Sequence, residues 1–267
     1  MIFKYDHDYH IHSLLSSCSR KPEQTAENIL KYALDNKLNS ICITDHYWDR
    51  AVPDPSGWYA EQDFDHISQI KPLPQADSCR FMFGCEGEMG KNFELSVPSS
   101  RYDEFDFIII PTTHLHMTKY TITPEDAASN ERRAELWVQR FDALMAKDLP
   151  WGKVGIAHLA TGLINHASRE EFFKTIALIS DDEIHRLFAK AKDIGLAIEL
   201  NLDDMKFSDS EQDDILRFFR IAKHQGCKFY LGSDSHSPEG FKNAKEIFDR
   251  AIKLLDLQES DKFTISK

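Results

Sequence analysis

Residues of the kind that bind metal ions follow apolar runs at six places along this chain of 267 residues. Imidazole and carboxylate groups are the side chains that zinc, manganese and iron accept as ligands. A charged group among buried apolar residues is costly unless it is paired or binds a metal. One shared site explains all six occurrences, so the pattern predicts a centre for several metal ions. Its candidate ligands are His10, His12, His46, Glu86, His114, His158, Asp234 and His236.

The spacing inside two motifs supports this interpretation. Residues i and i+2 of a strand project from the same face, so His10 and His12 converge, as do Asp234 and His236. The five other histidines outside the motifs are expected to be ordinary core or surface residues. These are His7, His66, His166, His185 and His224.

Two of the candidate positions have a rival close by. Glu88 lies two residues beyond Glu86, and His116 lies two residues beyond His114. Either member of each pair could face the site, because both share one face of an extended chain. We favour Glu86 and His114, which come first after their apolar runs.

Short apolar runs rich in β-branched residues alternate with stretches of helical periodicity. The predicted strands are 5–11, 40–44, 80–85, 106–110, 153–157, 197–200 and 229–232. The predicted helices are 25–36, 125–146, 181–194, 209–225 and 241–255. Repeated alternation of this kind is typical of a parallel sheet closed into a barrel. Each candidate ligand then lies at the carboxyl end of its strand, where barrel enzymes build their active sites.

The helix predicted over 181–194 has the clearest boundaries. Ser180 and Glu183 form a capping box at its start, and Gly195 ends it. The stretch 47–79, by contrast, contains four prolines and shows weak signals for regular structure. Two interpretations of this stretch stay open, a surface excursion or a lid beside the site.

The composition excludes several classes of protein. Hydrophobic residues make up 42% and charged residues 28%, as in a soluble globular protein. The formal charge of −12 argues against extended nucleic-acid or anionic-membrane surfaces, which need basic patches. No apolar stretch reaches the roughly 18 residues of a membrane span, and the start of the chain lacks a signal-peptide pattern. With five scattered cysteines and no disulfide spacing, we expect a cytoplasmic protein.

In combination, the motifs resemble those of the PHP (polymerase and histidinol phosphatase) superfamily. The matching set is His10-x-His12, Thr44-Asp45-His46, Gly84-x-Glu86, His114, Ala157-His158 and Gly232-Ser233-Asp234-Ser235-His236. The resemblance implies one metallohydrolase domain over 1–267 with an α/β fold, a distorted seven-stranded (βα)7 barrel of the TIM-like PHP type. It also implies two or three divalent ions (zinc, manganese or iron) and hydrolysis of a phosphate ester.

The resemblance further implies a ligand set for each ion. For the first ion the set is His10, His12, Glu86 and Asp234. For a second ion, to which Glu86 would bridge, it is His114 and His158. For a third ion it is His46 and His236.

Three further residues near these motifs have expected roles. The family often has another histidine shortly after its first motif, where this chain has Cys18. The Cys18 thiolate could ligate zinc in its place, or the residue could be an ordinary loop cysteine. Asp8 and Asp45 are expected to orient ligand imidazoles.

The reaction that the resemblance implies is phosphomonoester hydrolysis. A metal-activated hydroxide attacks phosphorus while the ions neutralise the phosphoryl oxygens. The residues expected at the reacting centre are Glu86, Asp234 and His236. The expected partner is a small phosphorylated metabolite, with histidinol phosphate as one candidate. Three cations that closely follow ligand motifs are candidates for phosphate contacts, namely Arg20, Lys119 and Arg169.

The main alternative is an amidohydrolase, which also places an H-x-H motif and a late aspartate on a barrel. That class often has a carboxylated lysine bridging two ions at the end of a central strand. The chain shows no lysine at such a position. It also has the Asp45-His46 pair, which that class lacks. We therefore favour the phosphoesterase.

Overall fold

The computed structural model describes residues 1–19 and 21–265, and all paired strands in this part of the chain are parallel. The strands are β1 His7–Ile11, β2 Ser40–Ile43, β3 Arg80–Phe83, β4 Cys85–Glu86, β5 Ile108–Pro111, β6 Val154–Ala157, β7 Ala197–Asn201 and β8 Lys228–Gly232. They form two sheets, one in the order β1-β2-β3 and one in the order β4-β5-β6-β7-β8. The predicted α/β class with parallel strands is confirmed.

Helices connect most of the strands and cover the sheets. They are α1 Ala26–Asp35, α2 Phe64–Ile67, α3 Asn130–Met145, α4 Arg169–Ala177, α5 Asp181–Ile194, α6 Gln212–Gln225 and α7 Ala244–Leu254. Apolar faces of these helices pack on the sheets to form the main core, because each amphipathic helix must bury its apolar stripe. No helix in the described part of the chain is long and apolar enough to cross a membrane.

The described residues form two sheets and not the single closed sheet that was predicted. The stretch predicted as one strand over 80–85 divides at Gly84, where the backbone changes partner. The amide of Gly84 donates to Ile43 O at 2.7 Å, whereas the amide of Cys85 donates to Phe107 O at 3.1 Å. A side chain at position 84 would meet Phe107 O at 2.4 Å, so the close backbone approach requires glycine.

The two sheets also meet on the opposite side, between β1 and β8. The amide of His12 donates to Ser235 O at 3.0 Å, and the amide of Asp234 donates to His10 O at 2.7 Å. These bonds connect the sheets without making one continuous ladder. They also bring the ends of β1 and β8, with their histidines and aspartate, side by side.

A second apolar cluster fills the space between the sheets. It includes Tyr9, Met82, Phe107 and Tyr230, and the chain's last described segment closes it with Phe263. The amide of Phe263 donates to Phe229 O at 2.7 Å, which fixes this segment across the amino ends of the strands. The candidate ligands lie at the other, carboxyl ends.

Helix boundaries follow the predicted capping residues in some places and not in others. Ser180 caps α5 and Gly195 ends it in the left-handed region at φ 80°, as predicted. The helix predicted from 125 begins only at Asn130, with Ser129 as its cap. Residues 125–129 are not helical, and Thr123 caps a separate turn there by accepting a hydrogen bond from Asp126 N at 3.1 Å.

Candidate metal centre

The candidate ligands lie together because parallel strands end at the same edge of the fold. β1 supplies His10 and is followed by His12, and β4 supplies Glu86. The others lie in the first few residues after β2, β5, β6 and β8, and they are His46, His114, His158, Asp234 and His236. All of them are buried except Asp234 and His236, whose side chains are 20% and 33% exposed.

Glu86 lies at the middle of this cluster. Its Oε2 atom is 2.8 Å from His46 Nδ1 and 3.3 Å from His12 Nε2. Its Oε1 atom is 3.1 Å from His158 Nε2. Although buried, Oε2 makes no hydrogen bond of good geometry to a described residue. A buried carboxylate oxygen among imidazole nitrogens, without a proton donor aligned to it, fits a metal ligand.

His10 and His12 converge beside Glu86, as the strand geometry predicted. Their Nε2 atoms are 3.2 Å apart. Asp234 Oδ1 lies 3.5 Å from His10 Nε2 and 3.2 Å from His12 Nε2. One ligand atom from each of the three residues lies within 4.8 Å of the others, which suits a shared cation. A second such group consists of His10, Glu86 and His158.

The electrostatics around Glu86 and His10 favour positive charge where cations would fit. Burial raises the pKa of Glu86, but nearby imidazoles such as His46 and His10 more than offset this and hold it well below its usual range. Burial lowers the pKa of His10, but Asp234, Glu199 and Glu86 raise it well above 6.5. Carboxylates that stay ionised and draw positive charge onto their neighbours form a cation site.

A third group contains the cysteine. Cys18 lies with His12, His46 and His236, one ligand atom of each being within 4.8 Å of the others. The rings of His12 and His236 stack with centroids 4.0 Å apart. Burial and the nearby His12 lower the pKa of His236 to about 3, which leaves its ring neutral and able to coordinate.

His114 is held at the edge of the cluster by Glu88. Glu88 Oε2 lies 2.6 Å from His114 Nδ1 and accepts a hydrogen bond from Tyr59 OH at 3.0 Å. The rings of His114 and His158 stack with centroids 4.9 Å apart. Thus Glu86 lies among the imidazole nitrogens, whereas Glu88 orients a neighbouring ring. His116 is less buried than His114, and its Nδ1 has no hydrogen-bond partner in the described chain.

No protein-family model matches the chain, and no curated protein matches it. A solved structure does match, namely histidinol phosphate phosphatase from Lactococcus lactis subsp. lactis Il1403, complexed with zinc, L-histidinol and phosphate. Its TM-score is 0.60, with 16% identity over 97% of this chain and 98% of that chain. The chain has the fold of that phosphatase.

This likeness confirms the kind of fold that the motif resemblance implied. At 16% identity it concerns the path of the backbone and not the chemistry of individual side chains. The chemistry of this chain is therefore inferred from the contacts between its own side chains.

Two of the candidate ligands in this phosphatase-type fold have unusual backbone angles. His158 has φ 37° and Asp234 has φ 52°, both in the left-handed region that non-glycine residues rarely adopt. Such conformations cost on the order of 1–3 kcal/mol and persist where surrounding contacts demand them. Here they turn each side chain back toward the cluster at the end of its strand.

The carboxylate that orients His10 escaped sequence analysis. Glu199 is fully buried in β7, and its Oε1 lies 2.7 Å from His10 Nδ1. Its Oε2 accepts a hydrogen bond from His158 N at 2.8 Å. The available signal was a charged residue inside an otherwise apolar buried strand, which is costly without a partner.

Asp8 and Asp45 differ in what they contact. Asp45 accepts a hydrogen bond from Ser16 Oγ at 2.8 Å, and this hydroxyl lies 2.9 Å from His12 Nδ1. Asp45 therefore acts on an imidazole through Ser16. Asp8 is instead bonded to the amides of Ser233 and His10, at 2.9 and 3.3 Å, so it ties β1 to β8 rather than orienting a ring. Burial raises its pKa to about 7.

Two of the three expected phosphate-binding cations, Lys119 and Arg169, are not among the described residues that line the cleft. Arg20 lies outside the described residues. Lys119 is exposed and is not among the lining residues. Arg169 begins α4, forms an ion pair with Glu211 at 2.8 Å and lies over the Phe173 ring. Lys119 and Arg169 are close to ligand motifs in sequence but not in space. The reason is that the chain after each motif leads away from the strand ends.

A cleft of about 380 Å³ opens above the cluster. Its outer wall is formed by Trp58, Tyr59, His116, Met117 and Leu163. The first two belong to the stretch 47–79, so this stretch covers one side of the site, in agreement with the second interpretation offered for it.

The histidines expected to be ordinary take part in local contacts. His7 Nε2 accepts a hydrogen bond from Leu231 N at 3.0 Å, and His66 Nε2 lies 2.7 Å from Leu15 O. His185 contacts Gln225, and its ring lies edge-on to that of His224. His166 is exposed, although its ring approaches His116 at 6.1 Å.

Proposed function

We propose that this protein is a metal-dependent phosphomonoesterase. The observation that carries the proposal is the position of Glu86, whose two oxygens face different imidazole groups, His12 and His46 on one side and His158 on the other. A carboxylate placed in this way can bridge two cations. Pairs of bridged cations are the usual means by which enzymes stabilise both the attacking and the leaving oxygen of a phosphoryl transfer.

The proposed ligands follow the observed groups. The first ion would be held by His10, His12 and Asp234, with Glu86 shared. A second would be held by Glu86 and His158, with His114 beside them. A third would be held by Cys18, His46 and His236. When bound, such ions supply Lewis-acid stabilisation of the phosphoryl oxygens and activation of water near neutral pH.

The protein's own residues hold these donors in place. Glu199 fixes the His10 ring through Nδ1, and Ser16 fixes the His12 ring, so both present Nε2 to the site. Such orienting contacts are worth roughly 10–100-fold in metal affinity or activity. His236 Nδ1 donates to Asp234 O at 2.8 Å, which leaves its Nε2 free to face an ion or the leaving oxygen.

The proposal also covers a distorted barrel, a candidate substrate and the candidate ions. The two sheets, joined at Gly84 and between β1 and β8, would correspond to a distorted seven-stranded barrel if β3 and β4 are counted as one strand. Histidinol phosphate is a candidate substrate because the compared phosphatase was solved with L-histidinol and phosphate. Zinc, manganese and iron are the candidate ions for these donors.

The test is hydrolysis of an aryl phosphate and of histidinol phosphate by protein reloaded with zinc or manganese after chelation. We expect turnover that the chelator abolishes and metal restores. A cyclic amide such as dihydroorotate serves as the control substrate for the amidohydrolase alternative. Cleavage of the amide, with no hydrolysis of either phosphate, would overturn the proposal. The lining of the cleft gives no support to that alternative, because the described lining residues include no lysine.

A further inference from the structure

The cleft above the metal centre has two chemically different parts. Its floor consists of the candidate ligands, and its outer wall is rich in aromatic and aliphatic side chains. Trp58 is 40% exposed, and its ring meets the His46 ring edge-on at 4.8 Å. Met117 and Leu163 are half-buried on the same cleft. A tryptophan, a methionine and a leucine that line one cleft offer apolar surface that a ligand can cover favourably.

In the described lining of the cleft, the carboxylates belong to the floor. Among the described lining residues the carboxylates are Glu86 and Asp234, and both face imidazoles of the cluster. The same lining contains no lysine or arginine. The described part of the wall therefore offers a ligand no carboxylate of its own.

We propose that this outer wall binds the alcohol part of the substrate, and that this part is an uncharged aromatic or apolar group. The inference rests on the proposed phosphomonoesterase activity and specifies its substrate class. A flat ring would pack against Trp58, Met117 and Leu163. An ammonium group would lose its water without gaining an anionic partner among the described residues of the wall, which is unfavourable.

The charge of the preferred alcohol group would distinguish this chain from the phosphatase whose fold it shares. That structure contains L-histidinol, whose amino group is cationic at neutral pH. A wall selective for uncharged groups would disfavour histidinol phosphate relative to a neutral ester of similar size.

A matched pair of substrates tests the wall directly. 3-Phenylpropyl phosphate and L-phenylalaninol phosphate share a carbon skeleton and differ in one ammonium group. We expect kcat/KM to be at least tenfold higher for the neutral ester with zinc- or manganese-loaded protein. The ammonium group makes its alcohol the better leaving group, so intrinsic reactivity cannot produce this preference. Equal values, or a preference for the ammonium ester or histidinol phosphate, would overturn the inference.

A pair of variants makes the same test within the protein. Leu163→Asp places a carboxylate in the wall and should reduce the preference for the neutral ester at least tenfold. Leu178→Asp makes the same chemical change at an exposed position outside the cleft and should leave the ratio unchanged. Because the readout is a ratio of two substrates on one protein, differences in folding or metal loading cancel. An unchanged ratio in Leu163→Asp contradicts the assignment.

Calorimetric binding of the two esters distinguishes failure of the inference from failure of the proposed activity. Hydrolysis of both esters without preference overturns the wall assignment alone. Absence of hydrolysis, together with at least tenfold tighter binding of the neutral ester, supports the wall and overturns the activity. Absence of hydrolysis together with equal or undetectable binding overturns both.

Discussion

Glu199 lies 2.7 Å from Nδ1 of His10, and both side chains are fully buried. The two residues are 189 positions apart in the chain. This carboxylate leaves Nε2 of His10 as the atom that faces Glu86 and Asp234. Carboxylate–imidazole pairs of this kind set the tautomer and the basicity of a metal-binding ring.

Replacing Glu199 should therefore weaken the site without removing a ligand. For Glu199→Gln we expect a loss of roughly 10–100-fold in zinc affinity or in phosphatase kcat/KM. Glu246→Gln, an equivalent change on the exposed face of α7, serves as the control. The measurement is a competition titration against a chromogenic chelator. A zinc affinity equal to that of the control variant would show that the pair is only structural.

Glu86 should contribute to more than one bound ion, because its two oxygens face separate groups of imidazoles. We expect Glu86→Ala to lose more than one metal equivalent and nearly all activity. Glu88→Gln should lose at most one equivalent, since Glu88 acts on His114 alone among the candidate ligands. Elemental analysis of the two variants decides the matter. If Glu88→Gln lost the greater number of ions, the bridging role would pass to Glu88.

Cys18 should be protected by metal. Its sulfur lies with three imidazoles, and a thiolate is a soft ligand that favours zinc over manganese. Iodoacetamide labelling at Cys18, resolved by mass spectrometry, should be slower in zinc-loaded than in chelator-treated protein. The four buried cysteines, such as Cys79, provide internal controls. Equal labelling in both forms, with unchanged zinc content in Cys18→Ala, would identify Cys18 as a loop residue.

Arg140 should be a major contributor to stability. It is fully buried and donates to Met89 O, Thr112 O and Thr121 O at 2.7–2.8 Å, joining the loops that follow β4 and β5. Arg140→Met leaves these carbonyls unsatisfied, each at a cost of about 1–3 kcal/mol. We expect the free energy of unfolding in urea to fall by at least about 3 kcal/mol. Arg186→Met removes an exposed arginine and should cost about 0–1 kcal/mol. Similar losses in both variants would contradict this role.

Removal of metal should make stability depend on pH above neutrality. Burial lowers the pKa of His158, but Glu86 and Asp234 more than offset this and raise it from 6.5 to about 9. The folded protein then binds this proton more tightly than the unfolded chain does. Its contribution to stability is full below pH 6.5 and is lost as the pH rises towards 9.

The metal-free protein should accordingly lose on the order of 1–3 kcal/mol of unfolding free energy across this interval. In zinc-loaded protein the ions replace the protons, so the decline should disappear. Urea unfolding at several pH values, with His158→Gln as the comparison, measures the effect. Parallel pH profiles for metal-free and zinc-loaded protein would refute the explanation.

Local sequence determined the parallel α/β architecture and the gathering of the histidines. Periodicity and caps are short-range properties, as Ser180 and Gly195 show at the two ends of α5. Once parallel strands are inferred, the convergence of residues at their carboxyl ends follows from geometry. His10, Glu86 and His158 could therefore be grouped without knowledge of side-chain positions.

Other features depended on contacts between distant segments, which no local pattern specifies. The change of strand partner at Gly84 arises from the approach of Phe107 O, and the burial of Glu199 becomes understandable only beside His10. Arg169 follows a ligand motif closely in sequence, yet the chain carries it away from the strand ends to an ion pair with Glu211. The sequence by itself thus determined which residues could bind metal, whereas the tertiary structure decided which carboxylate lies among the imidazoles and which orients them. The reason is that a shift of two residues along a strand keeps the same face but moves a side chain by roughly 7 Å.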